Sequence, residues 1–200
     1  MTSINVSANN KAFESKEGVL INYIEKELLC YPAGKMDSNF IPSDVEKIGD
    51  SAFSGCIYLS SITIPSSVIS IGDSAFYNCL NLSSLIIENG VKSIGNNAFS
   101  NCTELSSITI PSSVKSIGDS AFYNCLNLSS VTYNGINDPG IDSNAFDNCN
   151  KLIKVNVPAN YNGNTFCGKN IIRMQTESIT ANSNNSNTVI IATTVSAAVI

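Results

Sequence analysis

Short runs in which apolar and polar residues alternate recur along most of the chain. The run Leu-Ser-Ser-Ile-Thr-Ile occurs at Leu59–Ile64 and again at Leu105–Ile110, and close variants follow the same spacing. This alternation, rich in β-branched residues, predicts short half-buried strands. Proline follows several of these runs (Pro65, Pro111 and Pro158) and is expected to end the strand there.

A second recurring segment, Ser-Ile-Gly followed by Asp-Ser-Ala-Phe-x-x-Cys, lies between the predicted strands. The tetrad Ala-Phe-x-x-Cys occurs five times, and its cysteines are spaced 23, 23, 23 and 24 residues apart. Asp or Asn before Ala-Phe resembles a helix N-cap, and Ala121, Cys125 and Leu128 would share one helical face. Each repeat therefore predicts a strand, a turn and a short helical or 3₁₀ segment.

The repeats are close copies of one another. Ile64–Ile86 and Ile110–Thr132 are identical at 20 of 23 positions, which indicates tandem duplication. One coil cannot bury its own apolar residues, whereas a stack of at least three coils can. Stacked strands about 4.8 Å apart would form a parallel sheet along one side. The sequence thus predicts a right-handed solenoid.

The motif LxxIxIPxxVxxIGxxAFxxC resembles the BspA-like (treponemal-type) leucine-rich repeats. It is present nearly intact four times between Ile41 and Thr132. Gly18–Gly34 also resembles an inserted hairpin unit that ends in Tyr-Pro-Ala-Gly, with its turn near Ile24–Lys26. The resemblance implies a leucine-rich-repeat-like coil with a parallel β-sheet on one face and short helical or 3₁₀ turns on the other.

The chain is divided by its pattern into a solenoid, a linker and a tail. Residues 1–6 align with Leu59–Ile64, which we interpret as a piece of a longer array. The apolar tail (189–200) is shorter than the roughly 20 apolar residues that a membrane-spanning helix needs. We interpret it as part of a membrane anchor, with an extra strand or a frayed tail as alternatives. The predicted boundaries are residues 1–177 for the solenoid, comprising an irregular hairpin-containing unit (7–40), regular repeats (41–156) and a degenerate last coil (157–177), then a polar linker (178–188) and an apolar tail (189–200).

Composition narrows the possible functions. The chain has no histidine, one arginine and a net charge of −5. The lack of histidine excludes His-based acid–base catalysis, Ser-His-Asp triads and His-ligated zinc. An acidic chain also lacks the basic footprint of a nucleic-acid-binding protein. We therefore expect a protein that is not an enzyme, needs no cofactor and does not bind nucleic acid.

Two residue series suggest metal binding, but their spacing favours structural roles. Cysteines one repeat apart would form a line rather than a tetrahedron, so we interpret them as a ladder of buried thiols. Asp50, Asp73 and Asp119 each stand alone in their repeats, and Asn96 occupies the matching position in another coil. Capping explains Asp and Asn equally well, whereas calcium ligation does not.

The outward strand positions form the candidate partner-binding face. Serine pairs flank them, so the face is regular and rich in hydroxyl groups; the alternative is that these residues only keep a strand surface soluble. Asn-x-Ser/Thr sequences also provide candidate glycosylation sites at Asn81, Asn101 and Asn127. The five candidate face residues are Thr63, Ile86, Thr109, Thr132 and Asn156.

These observations predict a non-catalytic protein-binding module. BspA-like relatives are surface proteins implicated in adhesion, so the resemblance implies a cell-surface or membrane-anchored protein that recognises a host or matrix protein. The alternative is a cytoplasmic leucine-rich-repeat scaffold or regulator of an enzyme.

Overall fold

The computed structural model describes residues 1–36, 40–140 and 144–175, and this part of the chain contains β-strands but no helix. The chain starts with β1 (Phe13–Lys16), β2 (Val19–Asn22) and β3 (Glu27–Cys30). Short strands then recur once per repeat: β4 (Lys47–Ile48), β6 (Ser70–Ile71), β8 (Ser93–Ile94) and β10 (Ser116–Ile117). Longer strands alternate with them: β5 (Ser61–Ile64), β7 (Ser84–Ile87), β9 (Ser107–Ile110), β11 (Ser130–Tyr133) and β12 (Val155–Val157). The last two are β13 (Thr165–Phe166) and β14 (Lys169–Arg173).

The longer strands are those predicted by the alternating pattern. They stack in parallel and in register, with Ile62 opposite Leu85 and Val131 opposite Ile108. Along each strand, the inward residues are buried and the outward residues are mostly exposed. The predicted solenoid with a parallel sheet is therefore confirmed.

A second parallel sheet was not predicted. We assigned Ser-Ile-Gly to a turn, but its Ser-Ile pair forms a two-residue strand that pairs with its copies in neighbouring coils. Ile71, for example, lies opposite both Ile48 and Ile94. The resulting seven-stranded sheet has the order β1-β2-β3-β4-β6-β8-β10. This second ladder is continuous from β3 to β10, so it also joins the coils whose longer strands, β7 and β9, are not paired.

The prediction of a short helical segment at Ala-Phe-x-x-Cys is wrong. In four tetrads, the first three residues (Ala-Phe-x) lie between two residues in the left-handed region, such as Ser74 (φ 55°) and Asn78 (φ 58°). A right-handed helix cannot pass through such positions, and the residues between them are fewer than one helical turn. The backbone bonds to the next coil instead: Phe76 N–H donates to Ala98 C=O at 2.7 Å, and Asn78 N–H donates to Ser100 C=O at 3.0 Å.

The five tetrad phenylalanines form a continuous stack through the core. Ring centroids are 4.6, 5.0, 5.2 and 5.1 Å apart from one coil to the next, and neighbouring ring planes differ by at most 15°. Tyr31 extends the stack at one end, 4.7 Å from Phe53. The near-parallel rings show that successive coils superpose with little rotation.

Antiparallel hairpins flank the repeats on both sides. The β1–β2 loop consists of Glu17 and Gly18 (φ 50° and 81°), and the β13–β14 loop consists of Cys167 and Gly168 (φ 45° and 74°). Two consecutive residues of positive φ define the type I′ turn, whose twist suits a two-residue hairpin. The predicted turn near Ile24–Lys26 is also present, and it connects β2 to β3.

The predicted polar linker (178–188) and apolar tail (189–200) lie outside the described residues. Within the described ranges, there is no helix of the length and apolar character needed to cross a membrane.

Candidate binding surface

The five predicted face residues lie on the outward side of the longer strands. Thr63, Ile86 and Thr109 are exposed, whereas Thr132 and Asn156 are half-buried. Thr63 lies opposite Ile86, and Thr132 lies between Thr109 and Asn156 in register. The structure therefore arranges them in one row, as expected from the 23-residue spacing.

The row is interrupted by a break in the sheet between β7 and β9. Two-stranded β5–β7 is separate from the sheet β13-β14-β12-β11-β9. At the intact junctions, Ser83 N–H donates to Ser60 C=O at 2.9 Å, and Ser129 N–H donates to Ser106 C=O at 3.0 Å. The described residues show no corresponding bond from Ser106 to Ser83.

Pro111 removes one bond from this junction but does not by itself break the ladder, because Pro158 has the same position after β12 and β12 still pairs with β11. At the intact junctions, the residue after the strand donates to the coil before it: Glu88 N–H bonds Ile64 C=O and Asn134 N–H bonds Ile110 C=O, both at 3.0 Å. Pro111 occupies the same position after β9 and has no N–H to donate. The ladder therefore lacks its closing bond at this junction.

A groove of about 620 Å³ lies along the broken junction. It brings together three of the five predicted face residues, Ile86, Thr109 and Thr132, whereas Thr63 and Asn156 do not line it. The remaining lining residues are serine, leucine and isoleucine, so no ionisable side chain faces the groove. Ile86 is 54% exposed and is the prominent apolar side chain on an otherwise hydroxyl-bearing wall.

The other sheet carries a shallower groove of about 470 Å³, and a row of Asp and Asn residues runs along it. Each side chain caps the next coil: Asp50 Oδ1 accepts from Asp73 N–H at 2.8 Å, and Asp73 Oδ1 accepts from Asn96 N–H at 2.7 Å. Asn96 Oδ1 continues the series with Asp119 N–H at 2.9 Å. The predicted helix N-cap is thus wrong: these side chains accept from backbone N–H groups of the neighbouring coil instead. Within the described ranges, no three His, Cys, Asp or Glu side chains are grouped to hold a metal ion.

The tetrad cysteines form the predicted ladder of buried thiols. All five are buried, and none of the seven cysteines forms a disulfide. Burial raises the pKa of Cys56 and of Cys102 to about 12. Such thiols stay protonated near neutral pH, so they are poor nucleophiles. Cys30, which is half-buried, has the most accessible thiol.

The sequence pattern of the BspA-type leucine-rich repeat region, in six copies, matches residues 22–153 and 70–190. The chain belongs to the BspA-type leucine-rich-repeat family. This confirms the resemblance carried by the repeated motif. No curated protein matches the chain.

Solved structures similar to this BspA-type chain include a leucine-rich cell surface protein from Faecalibacterium prausnitzii, at 29% identity and a TM-score of 0.71, over 78% of this chain and 42% of that one. A leucine-rich repeat protein from Bacteroides capillosus is 26% identical, with a TM-score of 0.52, over 62% of this chain and 99% of that one. The pneumococcal vaccine antigen PcpA, at 20% identity and a TM-score of 0.72 over 88% of this chain and 51% of PcpA, shares the fold. The BspA-type chain thus spans less than half of the F. prausnitzii protein and about half of PcpA.

The predicted glycosylation sites differ in how their amide groups are engaged. Asn101 Nδ2 donates to Asn78 Oδ1 at 2.8 Å, and Asn81 Nδ2 donates to Ile57 C=O at 2.7 Å. Asn127 instead uses its Oδ1 to accept from Lys151 Nζ at 2.6 Å. Because a glycan is attached through Nδ2, modification at Asn101 or Asn81 would disturb a bond between coils. Glycosylation of this BspA-type chain stays a prediction.

Proposed function

We propose that this BspA-type chain is a non-catalytic recognition module of a cell-surface protein, and that it binds a protein ligand through the groove between β7 and β9. The groove itself carries the proposal. It combines an apolar anchor, Ile86, with threonine and serine hydroxyls that both donate and accept hydrogen bonds. An exposed apolar side chain within a polar rim is typical of a protein-binding site.

The backbone at this junction adds a second recognition element. The facing edges of β7 and β9 are not joined by a ladder, so peptide N–H and C=O groups are available at the groove. These groups can exchange hydrogen bonds with a ligand that lies over the groove, but the coils are too close for a strand to enter between them, since the Phe76 and Phe99 rings are 5.0 Å apart. The lack of ionisable side chains in the groove supports binding rather than acid–base catalysis.

The name of the F. prausnitzii protein supports a location at the cell surface. That neighbour is called a leucine-rich cell surface protein and is 29% identical to this chain. Protease shaving of intact cells followed by mass spectrometry tests the location. We expect release of peptides such as the one spanning residues 93–115; their appearance only after lysis would contradict it.

Saturable binding to immobilised extracellular-matrix proteins tests the role of the groove. We expect Ile86→Asp and Thr109→Lys each to weaken binding at least tenfold, since a charge would be desolvated at the interface. Ile153→Asp is the matched control because Ile153 is 76% exposed but does not line the groove. Equal binding by all three variants, or no saturable binding by the parent protein, would contradict the proposal.

The alternative function is an intracellular scaffold, and the absence of disulfides among the seven cysteines favours it. Free cysteines are usual in reducing compartments. Shaving separates the two functions, because a scaffold would yield peptides only from lysed cells. Crosslinking in intact cells would then identify its enzyme partner.

A further inference from the structure

The turn side of the solenoid has a surface that repeats every two coils. The near-identical segments Ile64–Ile86 and Ile110–Thr132 are separated by one coil of different surface sequence. After the tetrad phenylalanine, successive coils carry Tyr77, Ser100 and Tyr123. After the tetrad cysteine, the corresponding residues are Leu80, Thr103 and Leu126. Large side chains thus alternate with small ones at both positions.

The structure aligns these turns one above another. Asn78 N–H donates to Ser100 C=O at 3.0 Å, and Asn101 N–H donates to Tyr123 C=O at 2.8 Å. The adjoining rings of Phe76, Phe99 and Phe122 are spaced by 5.0 and 5.2 Å and inclined by 7° and 10°. Equivalent positions two coils apart are therefore about 10 Å from each other and face the same direction.

The large side chains are accessible at this spacing. Leu80 and Leu126 are each 43% exposed and Tyr123 is 38% exposed, while Tyr77 is half-buried. Ser100, between the two tyrosines, is 1% exposed. Two tyrosine–leucine sites thus flank a coil of small side chains.

We propose that these two tyrosine–leucine sites bind a neutral β-1,4-linked polysaccharide. Successive sugars of such a chain are flipped, so the same ring face recurs at every second sugar. The length of two sugars closely matches the distance between equivalent positions two coils apart. Tyrosine presents an apolar ring that packs against the C–H face of a sugar, together with a hydroxyl group for hydrogen bonding. The small residues at Ser100 and Thr103 leave room for the intervening sugar.

Charge and spacing favour this ligand over other polymers. Residues 77–81, 100–104 and 123–127 contain one side chain that is charged at neutral pH, Glu104, and the neighbouring cation, Lys151, bonds Asn127 Oδ1, so these turns have little chemistry for sulfated or carboxylated polymers. A polyproline II peptide repeats about every 9.3 Å, which is shorter than two coils. Asn81 Oδ1 and Asn127 Nδ2, in the same turns, supply groups that match sugar hydroxyls, while the other amide atoms bond Ile57 and Lys151.

Co-sedimentation with amorphous cellulose and with chitin tests the proposal, followed by titration with the soluble hexasaccharides. We expect saturable binding to at least one β-1,4 polymer and none to dextran. Tyr123→Ala and Tyr77→Ala should each weaken binding about tenfold, the loss of one aromatic contact, and the double variant should abolish it. Tyr58→Ala is the matched control: Tyr58 is 50% exposed but lies outside the repeated pair, so binding should be unchanged.

Thermal unfolding of each variant excludes loss of fold as the cause. No binding to either β-1,4 polymer, equal binding to dextran, or binding that survives in the double variant would overturn the proposal. Binding to a proline-rich peptide but to neither glycan would assign the sites to protein recognition instead. Ile86→Asp should leave glycan binding intact. Failure of the polysaccharide proposal is therefore distinguishable from failure of the proposal that the groove binds a protein.

Discussion

The thiol of Cys102 donates a hydrogen bond to the carbonyl oxygen of Phe76, 3.4 Å away in the preceding coil. The same oxygen accepts from the N–H of Cys79 at 3.2 Å. The relationship recurs: Cys79 bonds Phe53 at 3.1 Å and Cys149 bonds Phe122 at 3.0 Å. Each thiol therefore meets the second lone pair of a buried carbonyl, which a simple apolar side chain would leave without a partner.

Replacement of this thiol should destabilise the fold. We expect Cys102→Ala to lower the free energy of unfolding by about 1–2 kcal/mol, because it leaves a small cavity and an under-satisfied carbonyl. Chemical denaturation measures the change. Cys30→Ala is the control, since Cys30 is only half-buried and should give a smaller effect. An equal loss in both variants would contradict the role of the bond.

The glycine of the Ser-Ile-Gly segment is required by the close approach of neighbouring coils. A Cβ atom on Gly95 would lie 2.5 Å from Asp73 Oδ1 and 2.7 Å from Asp73 N. Because backbone atoms block the site, we expect Gly95→Ala to cost more than about 2 kcal/mol. Thermal denaturation checks this.

The control for Gly95 is Gly55→Asn. Gly55 has a φ of 69°, and a Cβ atom added there would meet no other atom within 4 Å. Asparagine occupies the equivalent left-handed position in the following coils, as at Asn78 and Asn101. We expect little change in the melting temperature of the Gly55→Asn variant. A mild effect of Gly95→Ala would show that the coils adjust their spacing.

The row of Asp and Asn side chains should stabilise the fold through its acceptor oxygens and not through its charge. Asp73→Ala removes the acceptor for Asn96 N–H, and we expect a loss of about 1 kcal/mol. Asp73→Asn keeps this acceptor and loses only the oxygen that accepts from Asn96 Nδ2 at 3.2 Å, so it should cost less than Asp73→Ala. Urea unfolding of both variants measures the difference, and equal losses would indicate that the carboxylate charge is what matters.

Stability should fall in alkaline solution because of the buried thiols. Burial raises the pKa of Cys56 and Cys102 from 9.0 to about 12, so thiols of the unfolded chain ionise first. The unfolded state then binds fewer protons than the folded state, and stability present below pH 9 is lost as the pH rises towards 12.

Melting temperatures between about pH 8 and pH 11 test this linkage. The double variant Cys56→Ala/Cys102→Ala should be less stable at neutral pH but should lose less of its remaining stability as the pH rises. Parallel curves for the two proteins would contradict a contribution from these thiols.

The local sequence pattern was sufficient to predict the longer strands and the core. Ile62 and Ile64 alternate with Ser61 and Thr63 in a way that only a half-buried strand accommodates. The 23-residue spacing then aligned the outward row and the buried cysteines, because equivalent residues of a solenoid superpose. The type I′ turn at Glu17–Gly18 was not predicted, although a glycine directly before the apolar run Val19–Ile21 was a signal for it.

The short strands and the turns depended on neighbouring coils. A run of two residues, Ser70 and Ile71, is too short for a strand to be predicted from it. The two residues form a strand because Ile48 and Ile94 lie in register on both sides. The expected helix failed for the same reason. Alternate N–H groups of the turn, such as those of Phe76 and Asn78, bond to the next coil instead of continuing a helix, and Asn78 stabilises that arrangement by accepting a positive φ.

The amino-acid sequence by itself thus determines that this chain is a stack of near-identical coils. It also determines which side chains fill the interior and which lie on the strand face, because periodicity and burial follow from amino-acid order. The groove between β7 and β9 arises only when the coils are stacked. It depends on where ladders between coils close or fail, and on the approach of residues more than twenty positions apart. Those contacts act at a range that no local sequence pattern encodes.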